Sequence, residues 1–561
     1  MPEASAMEYA FMALPNVKLL NAEHVSTSLL QDCDGVLVVF HDASTLSQIK
    51  SAKMLGSTIS AVQDLVACDQ SVSKAQDVHL LLNTLLPGGR MIVSSTGPLL
   101  RDYDDVRRYG EAAGRVVKRA KATGLIKRPI LVLQPPPFAQ MEETVRREFE
   151  QYYQVALLAA LAELHEPLEA REALPELSRN SLIHLSLVTE EGEPRVLEDQ
   201  LRVINAIETG RRLARDIGGC DPERMNSINA AATVQSFFTT QKLDPVVKVH
   251  VADDLQEFKE KYPLLAAVAR ASEHVPRHAP RIVHLEYRSP DQSQVQEELY
   301  MVGKGINYDT GGADVKAGGN MVGMSRDKCG AAAMAGFMAV CALLKPTHLN
   351  VTVDLAFVRN SIGSNAYVAD EIIKSRAGVR VRIGNTDAEG RMVMADLLAQ
   401  MKERALSLAV PQRARLFTCA TLTGHVGLTY GPYAAAMDNG PAKLLKIGNR
   451  IKTEGQRIGD CFELSTLRRE DYDFVAPSSN CEDVVQANRL PSSATPRGHQ
   501  YPAAFLQIAS GLIDHGMDAA PEKRLAYTHL DIAGAAEEGR GPWGRLTGTP
   551  IAALTFAFLK N

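Results

Sequence analysis

The stretch ELYMVGKGINYDTGGADVKAGGNMVGMSRDKCGAAAMAGFMAVCALL, residues 298–344, contains the pattern that predicts the fold. It begins as an apolar strand candidate, continues as a glycine-rich segment and ends as a helix candidate rich in glycine and alanine. Small side chains would let this helix pack closely on a sheet. The charged residues lie between strand and helix, and ligands of open α/β sheets bind beyond the carboxyl ends of the strands.

The same alternation extends over the second part of the chain. Further strand candidates are RIVHLEY, NVTVDLAFV, VRVRI and ARLFTCATLT, and a second long helix candidate is EGRMVMADLLAQMKERAL. Short β-branched runs between longer helical patterns indicate a parallel or mixed sheet with helices. We therefore expect residues 196–561 to form an α/β domain with a mixed central sheet.

The first third of the chain shows a second α/β pattern. The apolar runs VLVVF, MIVSS and ILVLQ alternate with helical stretches such as YDDVRRYGEAAGRVVKRAKA. A polar segment, EEGEPRVLEDQ near Glu190, has the composition of a connection between domains. Since 561 residues exceed the ~250–300 at which one core stops growing, we expect an N-terminal α/β domain over residues 1–195.

Composition narrows the class of partner. The formal net charge of -5 gives no basic excess, so we expect no nucleic-acid partner. We expect no membrane-spanning segment, because no window approaches the ~20 apolar residues that cross a bilayer, and the N-terminus lacks the pattern of a secretory signal. The eight cysteines are scattered without a CxxC pair, which favours reduced thiols and a cytoplasmic protein.

Four carboxylates are candidates for metal binding. Asp309 and Asp327 lie in the glycine-rich segment, and Asp387 and Glu389 lie in GNTDAEGRMVMADLL, residues 384–398. Four acids brought together would repel one another unless cations lay between them. Oxygen ligands suit divalent metals, and a pair of metals could activate water and polarise a carbonyl. Each residue taken alone is more often a solvated or salt-bridged loop charge than a metal ligand.

The sequence lacks the motifs of several other enzyme classes. The glycine-rich segment, residues 302–332, matches neither GxGxxG nor GxxxxGK[ST], which argues against a phosphate cradle. We find neither the HExxH of single-zinc proteases nor the GxSxG of serine hydrolases. The carboxylate cluster is therefore the main candidate for chemistry.

Several motifs resemble one known family. NTDAEGR, residues 385–391, is identical to the signature heptapeptide of the leucyl (cytosol) aminopeptidase family. VGKGINYDTGG is similar to that family's VGKGxxxDSGG, with Thr310 in place of serine. CATLTGH, from Cys419, resembles its ATLTGA segment, and HLDIAG, residues 529–534, and GRLTGTP, from Gly544, resemble its late motifs. The resemblance covers roughly residues 200–561. The family's DMGGAA is replaced by DKCGAA, with Lys328 and Cys329, which suggests a divergent branch.

The resemblance implies a role for particular residues. Asp309 and Glu389 would be shared by two divalent ions, with Lys304 and Asp327 completing one site and Asp387 the other. Lys316 would contact the substrate carbonyl, and Arg391 would hold a bicarbonate ion that acts as general base. Lys304 would need a lowered pKa to bind metal, whereas Lys316 should stay protonated. The positions that the resemblance places near the first substrate side chain are Met324, Asn385, Ala388, Thr421, Leu422, Gly424 and Ala533.

The expected function follows from this resemblance. The chain would be a metal-dependent aminopeptidase that releases N-terminal amino acids, preferably leucine-like ones, from short peptides. Zinc or manganese would be the metal, with magnesium also compatible. The expected assembly is a homohexamer. Two alternatives remain open: a dipeptidase of narrow specificity, for example for Cys-Gly, and an inactive family member that serves as a scaffold.

Overall fold

The computed structural model describes residues 9–25, 31–51, 56, 58–176, 182–190, 192–539 and 543–559. Residues 1–8, which belong to the N-terminal stretch predicted not to be a secretory signal, lie outside this set. Residue contacts divide the chain into two compact units. One comprises Met12–Thr209 and Gly455–Asp460, and the other comprises Met1–Phe11, Gly210–Glu454 and Cys461–Asn561. The domain boundary at residues 195/196 stays a prediction; a helix, Pro194–Gly219, runs through this region.

The N-terminal unit contains a six-stranded sheet. Its strands, in chain order, are β1 (Asn16–Asn21), β2 (Gly35–Phe40), β3 (His79–Leu82), β4 (Arg90–Ser95), β5 (Pro129–Leu133) and β6 (His184–Thr189). The spatial order is β1-β6-β5-β2-β4-β3, and all pairs are parallel except β3 with β4. Because β2 and β5 are buried on both faces of the sheet, their sequences are continuous apolar runs.

Helices cover this sheet. They are α1 (Thr58–Cys68), α2 (Arg107–Ala122), α3 (Glu143–Phe149), α4 (Tyr152–Ala162), α5 (Leu168–Ala173) and the start of α6 (Pro194–Gly219). The helix predicted from YDDVRRYGEAAGRVVKRAKA corresponds to α2, which buries its small residues and exposes Glu111, Lys118 and Arg119. The α/β character predicted for this part of the chain is confirmed.

The second unit is built on an eight-stranded sheet. Its strands are β7 (Val247–Ala252), β8 (Arg281–Tyr287), β9 (Glu297–Asp309), β10 (Leu349–Asn360), β13 (Ala414–Ala420), β14 (Ala434–Asp438), β15 (Phe462–Leu464) and β17 (Ala526–Asp531). The spatial order is β15-β14-β17-β13-β9-β10-β8-β7. Pairs among β17, β13, β9 and β10 are parallel, while β14/β17, β10/β8 and β8/β7 are antiparallel. The predicted mixed central sheet is confirmed.

Smaller elements complete this unit. Short strands are β11 (Ile372–Lys374), β12 (Arg380–Arg382), β16 (Val484–Val485), β18 (Glu537–Glu538) and β19 (Arg545–Leu546). The helices after α6 are α7 (Ser227–Thr240), α8 (Leu255–Lys261), α9 (Pro263–Ala269), α10 (Cys329–Leu344), α11 (Glu389–Leu406), α12 (Gly424–Tyr430), α13 (Gly440–Leu444), α14 (Ile447–Ile458), α15 (Arg469–Phe474), α16 (Tyr501–Ala509) and α17 (Ile551–Leu554).

One prediction about membrane crossing needs correction. The segment Met324–Leu344 is long and apolar enough to span a bilayer, contrary to the prediction that no window approaches the required length. Within the structure, 83% of its most apolar window is buried, and it includes helix α10. Contacts with the sheet therefore account for the apolar character of this helix, as in the core helix of a globular protein.

Glycine permits the close packing of α10 on the sheet. A Cβ at Gly330 would lie 2.2 Å from the carbonyl oxygen of Cys419, and one at Gly303 would lie 2.6 Å from the Cα of Ala331. Both neighbours are backbone atoms, which cannot move aside as a flexible side chain can. The start of α10 is thus held against strands β9 and β13, at the end of the sheet where the charged segments lie.

Candidate functional site

Three carboxylates converge at the carboxyl edge of the second sheet. Asp309 is the last residue of β9, Asp327 precedes α10, and Glu389 is the first residue of α11. One oxygen of each lies within 4.8 Å of those of the others. All three residues are buried. A divalent cation placed among these oxygens would offset their mutual repulsion.

Lys304 lies inside this group of acids. Its Nζ is 2.8 Å from Asp327 Oδ1 and 2.9 Å from Glu389 Oε1, and it donates to the carbonyl oxygen of Thr421 at 3.1 Å. Burial lowers the pKa of the Lys304 ammonium, but the surrounding carboxylates outweigh burial and raise its pKa above the ordinary value. The lowered pKa expected for Lys304 depends on two adjacent dications. The protein residues by themselves do not produce it.

Lys316 joins the remaining two acidic positions. Its Nζ lies 3.0 Å from Asp309 Oδ2 and forms an ion pair with Asp387. Burial lowers the pKa of the Lys316 ammonium, but Asp309 and Asp387 together outweigh burial and raise the pKa above its ordinary value. Burial, together with the charges of Asp309 and Glu389, raises the pKa of Asp387 to about 7. The structure thus brings all five predicted ligand positions and Lys316 into one cluster.

The balance of charge in the cluster favours cations. Burial raises the pKa of Asp327 and of Glu389, and the neighbouring acids add to this effect. Oδ2 of Asp327 is buried and has no hydrogen-bond partner among the described residues. A buried carboxylate oxygen without a partner is costly, and oxygen ligands are those that divalent metals take in proteins. The donor set therefore fits a metal centre.

Several residues that support the cluster were not identified from the sequence. Asn360, at the end of β10, donates to Asp309 Oδ1 at 2.8 Å and to the Thr386 carbonyl at 3.1 Å. Tyr367 donates to the same carbonyl at 2.8 Å. The backbone N–H of Thr386 donates to Asp314 Oδ2 at 2.7 Å. Asn360 could have been found, because it is a polar residue at the end of a strand adjacent to β9.

Arg391 occupies a buried position in the first turn of α11. Its guanidinium donates to the Gln486 carbonyl at 2.8 Å and lies 4.7 Å from the centre of the Tyr501 ring. The Nε atom is buried without a hydrogen-bond partner in the part of the chain that the structure describes. An unpaired donor on a buried cation is a suitable position for a small anion.

The predicted substrate positions differ in how directly they adjoin the cluster. Thr421 Oγ1 donates to Asp327 Oδ1 at 2.8 Å, and Asn385 Oδ1 accepts from the Asp387 N–H at 2.8 Å. The backbone N–H groups of Leu422 and Ala533 donate to a common carboxylate, that of Asp531. The remaining predicted positions are Met324, whose carbonyl accepts from the Asp327 N–H, Ala388, whose carbonyl accepts from Gln486, and Gly424, whose N–H donates to Ser492.

The departures from the family motif have specific surroundings. Lys328 is fully buried and donates to the carbonyl oxygens of Cys220 and Ser325, so its ammonium is bound by backbone oxygens. Burial raises the pKa of the Cys329 thiol to about 12, which keeps it protonated. These two residues are therefore accommodated beside Asp327 by local contacts.

Comparison with known proteins identifies the family. Residues 212–555 match the model of the cytosol aminopeptidase family, catalytic domain. The Caenorhabditis elegans protein named "Putative aminopeptidase W07G4.4" is 37% identical over 527 residues, which cover 94% of this chain and 95% of that protein.

Solved structures share the fold. The apo structure of leucyl aminopeptidase from Trypanosoma cruzi has a TM-score of 0.77 at 20% identity and covers 98% of both chains. The bottromycin maturation enzyme BotP in complex with Mn has a TM-score of 0.69 at 21% identity, covering 94% of this chain and 98% of that one. With the family model matching most of the chain, the protein belongs to the cytosol aminopeptidase family and is a metallo-exopeptidase of the leucyl aminopeptidase type.

Proposed function

We propose that the protein releases N-terminal amino acids, preferably leucine-like ones, from short peptides with the help of two divalent ions. The observation that carries the proposal is the cluster of four carboxylates around two lysines, with three of the carboxylates buried and an unpartnered oxygen on Asp327. The aminopeptidase family to which the chain belongs supports the reaction class.

Five residues would hold the ions. Asp309 and Glu389 would be shared, Lys304 and Asp327 would complete one site, and Asp387 would complete the other. The bound ions supply an activated water and polarise the scissile carbonyl. Zinc or manganese is the proposed metal, with magnesium also compatible; the manganese complex of BotP, a structural neighbour, supports manganese.

The two lysines have different tasks in this proposal. Lys304 must lose its proton to act as a ligand, so metal binding and deprotonation of Lys304 are coupled. Lys316 keeps its proton and stabilises the negative charge that develops on the substrate oxygen. Its ion pairs with Asp309 and Asp387 already orient the ammonium toward the centre of the cluster.

Arg391 would hold a bicarbonate ion, which supplies a general base. An arginine cannot accept a proton near neutral pH, so a bound anion is needed if this position is to take part in proton transfer. The buried, unpaired Nε of Arg391 supports the proposal. The neighbouring Tyr501 ring and the Gln486 carbonyl hold the guanidinium in place.

Substrate preference is proposed from the residues around the cluster. Met324, Leu422 and Ala533 are only partly buried, so their apolar atoms are available to an apolar side chain of a peptide. Such a surface selects only weakly among substrates, since one extra or missing methylene is worth about 1–3 kcal/mol in the free energy that discriminates between them. We also propose a cytoplasmic location and a homohexameric assembly, as the family resemblance implies.

Metal removal tests the proposed function. The protein is treated with a chelator, and hydrolysis of leucine, methionine and blocked N-acetyl-leucine coumarin amides is followed before and after addition of manganese or zinc. We expect activity to vanish with the metal, to return on its addition, and to require a free α-amine. A panel of dipeptides, Cys-Gly among them, tests narrow dipeptidase specificity. Absence of both activity and bound metal would contradict the proposal and favour a scaffold role.

A further inference from the structure

One buried glutamine holds the loop that carries two of the proposed metal ligands. Gln486 is fully buried and follows the short strand β16. Its side-chain oxygen accepts from the backbone N–H groups of Gly384 at 3.1 Å and Asn385 at 3.0 Å. Its side-chain nitrogen donates to the backbone carbonyls of Asn385 at 2.8 Å and Ala388 at 2.9 Å. One side chain thus makes four hydrogen bonds to a loop that lies 98 to 102 residues earlier in the chain.

The position of Gln486 requires an amide. The four bonds use the whole capacity of this group, which donates two hydrogens and accepts two. All four partners are backbone groups, so each is fixed as a donor or an acceptor, and the contacts allow one orientation of the amide. A carboxylate of the same size could not donate to the two carbonyls. An apolar side chain would leave four backbone groups of the loop without these partners.

The backbone around Gln486 reinforces the attachment. Its N–H donates to the carbonyl of Arg382 at 2.8 Å, and its carbonyl accepts from Arg391 Nη1 at 2.8 Å. A Cβ at Gly384 would lie 1.8 Å from the carbonyl oxygen of Ala487, so glycine is needed for the two segments to lie this close. The attachment therefore reaches from the beginning of the loop to the first turn of α11.

The attached loop carries two carboxylates of the cluster. Asp387 immediately precedes Ala388, and Glu389 immediately follows it. Asp387 forms an ion pair with Lys316, and Glu389 Oε1 lies 2.9 Å from Lys304 Nζ. Because Ala388 lies between the two acids in the chain, a shift of its carbonyl would displace both carboxylates.

We propose that Gln486 is a positioning residue that sets the places of Asp387 and Glu389 for metal binding. It acts through the backbone of the loop rather than through contact with an ion. Partners that orient metal ligands in this way change metal affinity on the order of 10–100-fold when they are removed. The inference rests on the proposed function, in which Asp387 and Glu389 are ligands.

A second glutamine of the chain provides a matched control. Gln134, in the N-terminal unit, is also buried, and its side-chain oxygen accepts from the N–H groups of His41 at 2.8 Å and Asp42 at 3.0 Å. Its side-chain nitrogen donates to the Asp42 carbonyl and to Thr45 Oγ1, both at 3.0 Å. Gln134 therefore matches Gln486 in burial and in number of hydrogen bonds, but none of its partners belongs to the loop that carries the ligands.

The test compares Gln486→Met with Gln134→Met, since methionine is similar in length to glutamine and has no strong hydrogen-bonding group. Each chelator-treated protein is titrated with manganese by calorimetry, and its stability without metal is measured by urea unfolding. We expect both substitutions to lower the urea midpoint. Only Gln486→Met should weaken manganese binding, on the order of 10–100-fold.

Shorter amides keep the test decisive if Gln486→Met does not fold. Gln486→Asn and Gln134→Asn, which shorten the side chain by one methylene, are then compared in the same way. Unchanged manganese affinity in the variant at Gln486, or an equal loss in both variants, would overturn the inference and leave the aminopeptidase function intact. Failure of the unmodified protein to bind manganese or zinc would contradict the proposed function, and this inference with it.

Discussion

At the scale of single residues, two lysines within one acidic cluster have different surroundings. Lys304 is 3% exposed and bridges Asp327 and Glu389, whereas Lys316 comes from a loop and bridges Asp309 and Asp387. Removing Lys304 would leave two buried carboxylates without their shared cation, and removing Lys316 would affect the more accessible side of the cluster. The two positions should therefore differ in whether metal binding survives their substitution.

Substitution of Lys316 tests this difference. Lys316→Met should lower kcat by about 10²–10³-fold, because one donor to a developing oxyanion contributes that much, while two metals per chain are retained. Metal content is measured by mass spectrometry alongside steady-state kinetics. Lys248→Met, at an exposed lysine of β7, is the control and should leave both quantities unchanged. Loss of metal from Lys316→Met would show that this residue holds the site together rather than acting on the substrate.

At the scale of elements, the cluster depends on how strands end and helices begin. Asp309 and Asn360 are paired in register where β9 and β10 end, and Glu389 begins α11. Negative groups are stabilised near helix N-termini, which suits Glu389 in the first turn. Asp327 reaches the cluster because α10 approaches β9 and β13 closely, and this approach requires glycine.

Gly330→Ala tests the requirement for close approach. The added Cβ would lie 2.2 Å from the Cys419 carbonyl oxygen, so α10 must move away from the sheet and carry Asp327 with it. We expect a loss of about 1–3 kcal/mol in the free energy of unfolding, together with weaker metal binding. Urea unfolding and metal titration measure the two effects. Gly219→Ala is the matched control, since its nearest contact, Leu546, would be at an ordinary 3.6 Å; equal behaviour of the two variants would contradict the argument.

At the scale of the whole molecule, the proposed assembly can be measured directly. One chain has a mass of 61.0 kDa, and a homohexamer would sediment and scatter light with six times that mass. We expect the active species to be this hexamer, because the family resemblance implies it. Light scattering coupled to size exclusion, with activity followed across the peak, makes the measurement. Full activity in a species of 61.0 kDa would contradict the proposed assembly.

The sequence alone indicated the family, and in the second unit it predicted the strands β8, β9, β10, β12 and β13 and the helices α10 and α11. The strand RIVHLEY and the helix EGRMVMADLLAQMKERAL begin and end where the structure has β8 and α11. Such segments are predictable because apolar periodicity and helix propensity act locally. The strand β14, with its run of alanines, was not predicted, since alanine has little β-propensity and pairing in the sheet decides its conformation. The strand β15 was not predicted because its three residues are too few to show a periodicity.

Only the tertiary structure decided which groups meet. Residues 309, 327 and 389 are far apart in the chain, and nothing local in the sequence shows that their carboxylate oxygens lie within 4.8 Å of one another. The same holds for Asn360 on Asp309 and for the pair of Gln486 and Asn385, which are 101 residues apart. The sequence motifs indicated metal-dependent chemistry, because the types of residue in a motif determine which chemistry it can support. Contacts and charge balance depend on the packing of distant segments, which only the folded chain brings together.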